Sequence, residues 1–166
     1  MQIRLAGASD AARINSLILS LSHLYMLSPS GEGGEGFFAS VSASAIQAYM
    51  AAGNFRFWVA EEGERLLGMV ALRDNAHLFN LFIAAAHQRQ GLGQALWQLA
   101  RDTALTQGNP GEFTVNASAN AVPFYARFGF VANGEPSEQH GVAVVPMRLV
   151  MMKDGMIKEA ECVEIF

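Results

Sequence analysis

One cysteine, Cys162, is all the chain has. That excludes an internal disulfide framework and fits a reducing compartment, with the thiol read as inert rather than as a nucleophile. Charge is scarce, at 16% of residues, and the formal net charge is −4. The basic face that a nucleic-acid partner requires is therefore missing. No run approaches the roughly 18 apolar residues of a membrane helix. The opening MQIRLAGASDAAR lacks the basic-then-apolar order of a secretion signal. The expectation is a cytoplasmic protein engaging neither nucleic acid nor membrane. No internal repeat or long linker divides the 166 residues, so one domain over 1–166 is expected, with 51% hydrophobic residues to fill its core.

What is present reads as an α/β chain. QIRLA alternates as a short strand, and Ser9 or Asp10 can cap a helix with Ile14, Leu17, Ile18, Leu21 and Tyr25 on one face. SPSGEGGEG (residues 28–36) holds four glycines and no apolar residue; it reads as a mobile loop, either a passive connector or a lid. A helix over residues 43–52 should stop at Gly53. FRFWVAEE and RLLGMVALRD form a hairpin about Gly63, and HLFNLFIA (77–84) is a nearly continuous apolar, central strand. A helix carrying Leu92, Leu96, Leu99 and Thr103 on one face ends at Gly108. EFTVNA is a strand, SANAVPFYARF a short helix capped by Ser118 and ended by Gly129, and FVAN and VAVVPMRLVM are late strands. The order is β-α-α-β-β-β-α-β-α-β-β.

The junction HQRQGLGQALW sets two glycines between a strand and a helix. The first N–H groups of a helix have no intrahelical partner and sit at its positive end, so an anion is welcome there. Gly91 and Gly93 would let a pyrophosphate approach without meeting a Cβ, although a tight connection would also explain them. A P-loop needs Gly-Lys-Ser/Thr, but Gln94 and Ala95 follow Gly93. A dinucleotide fingerprint wants a small residue where Leu96 stands and an acid at the end of a strand, whereas Glu112 begins one.

QRQGLG (88–93) resembles the Gln/Arg-x-x-Gly-x-Gly/Ala pyrophosphate motif of the GCN5-related N-acetyltransferases (GNAT). VNASANAVPFYARFGF (115–130) is similar to that family's strand, helix and Phe-Tyr-x-x-x-Gly-Phe segment. The resemblance implies an acyl-CoA N-acyltransferase fold: a mixed central sheet of about six or seven strands with about four helices, its central strands splayed. Acetyl-CoA would be the co-substrate, with no metal, and would lie between strands 77–84 and 112–117. The backbone at Phe82 and Ile83 would bond the pantetheine arm, with the Phe82 N–H facing the thioester carbonyl. Gln88, Arg89, Gln90, Gly91, Leu92, Gly93, Gln94 and Ala95 would wrap the pyrophosphate, Arg89 being equally readable as a solvated surface residue.

Tyr125 would protonate the departing thiolate; a phenol near pKa 10 against a thiol near 8.5 leaves a deficit of roughly 2 kcal/mol. The alternative is a core tyrosine beside Phe124 and Phe128. Ser118 stands where many members carry a cofactor-binding asparagine, and Asn116 could face cofactor or substrate or be structural. Many members supply a glutamate base from the central strand; here Asn80 cannot take a proton. His77, His140, Glu32, Glu35 and Glu138 leave the base unassigned.

The resemblance implies transfer of an acetyl group to a primary amine of a small molecule or peptide, by direct attack in a ternary complex. A cofactor-binding sensor without turnover, or transfer of a longer acyl chain, are the alternatives. Glu32, Glu35, Glu135 and Glu138 lean toward a cationic amine, and the terminal CVEIF could cover a homodimer partner.

Overall fold

The computed structural model describes residues 1–152; Cys162 and the terminal CVEIF lie outside the described residues. An eight-stranded mixed sheet runs in the order β1-β2-β3-β4-β5-β8-β6, with β7 paired to β8. Its strands are β1 (Gln2–Leu5), β2 (Phe55–Glu62), β3 (Arg65–Arg73), β4 (His77–Ile83), β5 (Glu112–Ser118), β6 (Val131–Ala132), β7 (Ser137–Gln139) and β8 (Val142–Val150). The helices are α1 (Ala11–Ser20), α2 (Ser22–Tyr25), α3 (Glu35–Ser40), α4 (Ala43–Ala52), α5 (Leu92–Thr106) and α6 (Val122–Ala126). The sheet thus has one strand more than the upper expectation: β7 lies in a polar stretch without apolar alternation, where hairpin pairing alone makes a strand.

Each face of the sheet buries its own core. Leu72, Leu78, Phe113, Val115 and Leu149 pack with Leu96, Trp97 and Ala100 of α5 on one face. Met69, Ala71 and Val59 pack with Ile14 and Ile18 of α1 and Ile46 of α4 on the other. Of the expected helical stripe on α5, Leu92 and Leu96 are buried, but Leu99 is 37% exposed, and Trp97, Ala100 and Ala104 complete the buried face. Small alanines let the helix lie close to the sheet, and Trp97 fills the gap beside Phe113 and Phe130 at centroid distances of 5.1 and 5.4 Å.

The expected first long helix breaks at Leu21, whose φ of −103° leaves the helical region and starts α2. The glycine-rich stretch is tethered on both sides. Leu27 N–H donates to Gly141 O at 2.9 Å, and Met26 bridges Val142. A Cβ on Gly141 would come within 3.0 Å of Gly33 backbone atoms, and one on Gly36 within 2.6 Å of His140 Nδ1. The missing side chains let this segment seat on the β7–β8 hairpin, and its last residues wind into α3. At the N-terminal corner, the buried Asp10 carboxylate accepts from Arg4, Arg13 and the Gly7 N–H, and both arginines also bond Glu61. The Arg4 hydrogen bond holds Asp10 well below the usual carboxylate range.

Candidate active site

β4 and β5 run parallel but pair only at His77↔Thr114 and Leu78↔Val115. Beyond that point β4 stays with β3 as far as Ile83, and β5 stays with β8 as far as Ser118. The two central strands therefore part, leaving a V-shaped opening with an unpaired edge on β4. Phe79 is an extra residue in the β4 ladder, because Ala71 pairs with Asn80 and Leu72 with Leu78; such a bulge resets which backbone groups face which neighbour.

Strand parity then decides what the opening sees. Ala84 N–H donates to Leu67 O at 2.8 Å, and the register continues as Met69↔Phe82 and Val70↔Leu81. Alternate residues of an antiparallel pair exchange hydrogen bonds, so Phe82 directs its N–H and C=O into β3. Leu81 and Ile83 direct theirs to the opening. The expected position of the Phe82 N–H is thus corrected: it belongs to the β3 ladder, and its neighbour Leu81 offers the free N–H. Only the register after the bulge reveals this, and no residue type in HLFNLFIA signals it. The Ile83 carbonyl accepts from Gln88 Nε2 at 3.1 Å. The Phe82 ring lies edge-on to Tyr25 at 5.5 Å on the opposite face.

A cleft of about 640 Å³ fills the α5 side of this opening. Gln88, Arg89, Gly91, Gly93 and Gln94 form one wall and Ser118, Phe124 and Tyr125 another. Gly91 caps α5 at φ +83°, in the left-handed region, and a Cβ there would meet no protein atom within 4 Å. Gly93 has a different reason: a Cβ would press within 3.2 Å of the Phe124 ring, so this glycine lets α5 approach α6. The N–H groups of Leu92, Gly93 and Gln94 have no partner among the described residues, and no side chain caps the helix. Three backbone donors at a helix N-terminus suit a pyrophosphate. Ala95 is not a fourth: its N–H donates to Gly91 O at 3.0 Å. The Gln90 side chain turns back to Ala86 O, and the Leu92 side chain is buried in the core. Arg89, held at φ +60°, reaches the cleft.

Tyr125 is 6% exposed and packs between Phe124 and Phe130, yet it lines both this cleft and a second cavity. Its hydroxyl has no hydrogen-bond partner among the described residues. Burial raises the phenol above its ordinary value, so it is protonated at neutral pH. The expected cap at Ser118 is not made; its hydroxyl donates to Asn120 Oδ1 at 2.7 Å instead.

The second cavity, of about 240 Å³, opens on the other face of the same strands. Asn80 and Asn116 form part of its floor, so Asn116 faces this side and not the cleft. His77 is here too, with Nδ1 2.8 Å from Thr114 Oγ1. Burial, then the Arg73 charge, push His77 down to about 4, which keeps it neutral at pH 7 and makes it a poor base. His140 lines the opposite wall. Glu32, Glu35, Glu135 and Glu138 are all exposed and line neither cavity.

Residues 25–151 match the family model of the acetyltransferase (GNAT) domain. Human N-acetyltransferase 8 is 36% identical over 92 residues, which is 48% of this chain and 40% of that protein; the chain therefore matches less than half the length of that relative. The coenzyme A complex of PaiA N-acetyltransferase from Thermoplasma acidophilum superposes with a TM-score of 0.69 at 16% identity, covering 89% of this chain and 98% of that one. A variant of the spermidine N-acetyltransferase SpeG from Vibrio cholerae gives 0.63 at 22% identity, covering 89% and 91%. Among the described residues no helix is long and apolar enough to cross a membrane. With its splayed strands, glycine-capped helix and Phe-Tyr segment accounted for, the chain belongs to the GNAT acetyltransferase family.

Proposed function

We propose that the chain acts as one catalytic domain that transfers the acetyl group of acetyl-CoA to a primary amine of a small molecule or peptide, within a ternary complex. The observation that carries this reading is the meeting of two cavities at one gap in the sheet. A donor in the α5-side cleft and an acceptor in the opposite cavity would touch where β4 leaves β5, beside Tyr125 and Phe82.

Acetyl-CoA supplies the activated thioester; everything else falls to the chain. Leu81 and the Ile83 N–H offer free backbone groups against which an extended amide arm can lie like an added strand, beside the Ile83 carbonyl that accepts from Gln88. The Leu81 N–H is the donor we assign to the carbonyl oxygen as it gains charge. The N–H groups of Leu92, Gly93 and Gln94, with Arg89, hold the diphosphate. Tyr125 gives its proton to the departing sulfur. Burial makes this phenol a weaker acid than it is in water, but a thiolate leaving into the same apolar space is destabilised in the same sense, so the mismatch stays modest. His77 being neutral and weakly basic, His140 is the imidazole we assign to relieve the amine of its proton, directly or through water.

A cofactor-binding module without turnover remains the second reading, favoured by the lack of any carboxylate lining the acceptor cavity among the described residues. Thiol release from acetyl-CoA, followed with a panel of primary amines and paired with coenzyme A thermal-shift measurements, separates the two. Amine-dependent release is expected; stabilisation by coenzyme A with no release on any amine would replace the enzyme with the sensor.

A further inference from the structure

We infer that the acceptor carries an anionic group at the end remote from its amine, joined by an apolar stretch; this rests on the transfer reading above. The acceptor cavity is charged at one end only. Arg73, the last residue of β3, lines it opposite His77 in the register, its guanidinium 5.9 Å from the centre of the Phe79 ring. Asp74 Oδ2 is 3.6 Å from Arg73 Nε, too far for a hydrogen bond, and the arginine makes none among the described residues. Its field reaches inward, contributing to the low proton affinity of His77. No carboxylate among the described residues lines the cavity itself. Asp74 pairs with Arg73 from outside the cavity lining, so a polyamine's second ammonium would approach Arg73 from the side that carries no carboxylate, which repels it.

Between Arg73 and the gap in the sheet the walls are apolar: Phe37, Phe79, Phe82, Val142 and Val144. Phe82 is five residues along β4 from His77, roughly 16 Å at ~3.3 Å per residue, and the arginine side chain spans about half of that. The remaining gap fits an amine and a carboxylate held at the two ends of a short alkyl chain. The cavity is the smaller of the two, about 240 Å³ against about 640 Å³ for the cleft. A small ω-amino carboxylate is the acceptor chemistry this shape and charge select.

Three chains of equal length test it, by thiol release with acetyl-CoA: 6-aminohexanoate, hexylamine and 1,6-diaminohexane, with spermidine as a polyamine. The carboxylate is expected to exceed hexylamine in kcat/KM by about tenfold, with the diamine and spermidine lowest. Arg73→Gln should raise the KM for 6-aminohexanoate about tenfold and collapse the ranking, and Arg73→Lys should restore part of it. A diamine or spermidine preference, equal use of all three chains, or a ranking untouched by Arg73→Gln overturns the assignment and leaves acetyl transfer standing. No release with any amine, while coenzyme A still raises the melting temperature, removes the transfer reading and this acceptor with it.

Discussion

The two cavities that meet at the β4–β5 gap are built from different materials. The α5-side cleft is mostly backbone: unpaired groups on β4, three N–H donors at a helix start, and glycines that keep side chains away. The opposite cavity is mostly side chain, contributed by helices α2 and α3, strands β3 to β5 and the β7–β8 hairpin. A backbone site tolerates sequence change as long as the path of the chain persists, which suits the diphosphate and arm of a shared cofactor. A side-chain site changes chemistry with each substitution, which suits an acceptor that differs from one enzyme to another. Tyr125 belongs to both and gives the sharpest division. Tyr125→Phe removes a hydroxyl that has no hydrogen-bond partner among the described residues and keeps the ring between Phe124 and Phe130. Turnover should fall about 10²- to 10³-fold, with coenzyme A affinity and melting temperature nearly unchanged. An unaltered kcat would make it a packing residue and return proton delivery to solvent.

The backbone character of the cleft is tested by two glycines with the same conformational demand. Gly91 at φ +83° and Gly63 at φ +60° are both left-handed, and a Cβ on either would meet no protein atom within 4 Å. Alanine at each should cost about 1–2 kcal/mol of stability. Only Gly91→Ala puts a methyl group where the diphosphate is proposed to sit, so coenzyme A affinity should drop at least about tenfold there and stay constant in Gly63→Ala. Equal affinity in the two variants, measured by calorimetric titration, would show that Gly91 serves the turn alone.

The same contrast explains how much could be read from the chain itself. The cleft announces itself because its chemistry lives in residues with a steric reason to be what they are: Gly91 in a left-handed turn, and the Phe124–Tyr125 pair ahead of Gly129 on a short helix. The central strands were legible from apolar runs, and their splaying followed from the family resemblance. Which backbone groups face the opening was not legible, because the bulge at Phe79 shifts the parity of β4 and bulges leave no residue signature in HLFNLFIA. The stripe on α5 was right at Leu92 and Leu96 but not at Leu99, because Trp97 and the alanines complete the face that meets the sheet. The cavity opposite the cleft, where the acceptor is proposed to bind, was least legible of all. Its charge was sought in the glutamates of the glycine-rich loop and the hairpin, which face solvent, whereas Arg73 and His77 reach it through the register of β3 with β4.

His77 offers the finest measure of that side-chain environment. Its ring is pushed down to about 4 by burial and by Arg73, against about 6.5 in the unfolded chain. Between these values the unfolded state binds the extra proton, so stability rises with pH across the window. The contribution is complete above about pH 6.5 and is lost as the pH falls through 4. Because the ring keeps partial contact with solvent, screening limits it to about 1–2 kcal/mol. Urea unfolding of the native chain and of His77→Gln at pH 7.0 and 4.5 isolates the effect, since Asp10 and the other carboxylates contribute equally to both proteins. The native chain should lose about 1 kcal/mol more than the variant over that interval. Parallel losses would mean that the imidazole protonates freely in the folded state, and that the cavity wall beside Arg73 is wetter and less cationic than its geometry requires.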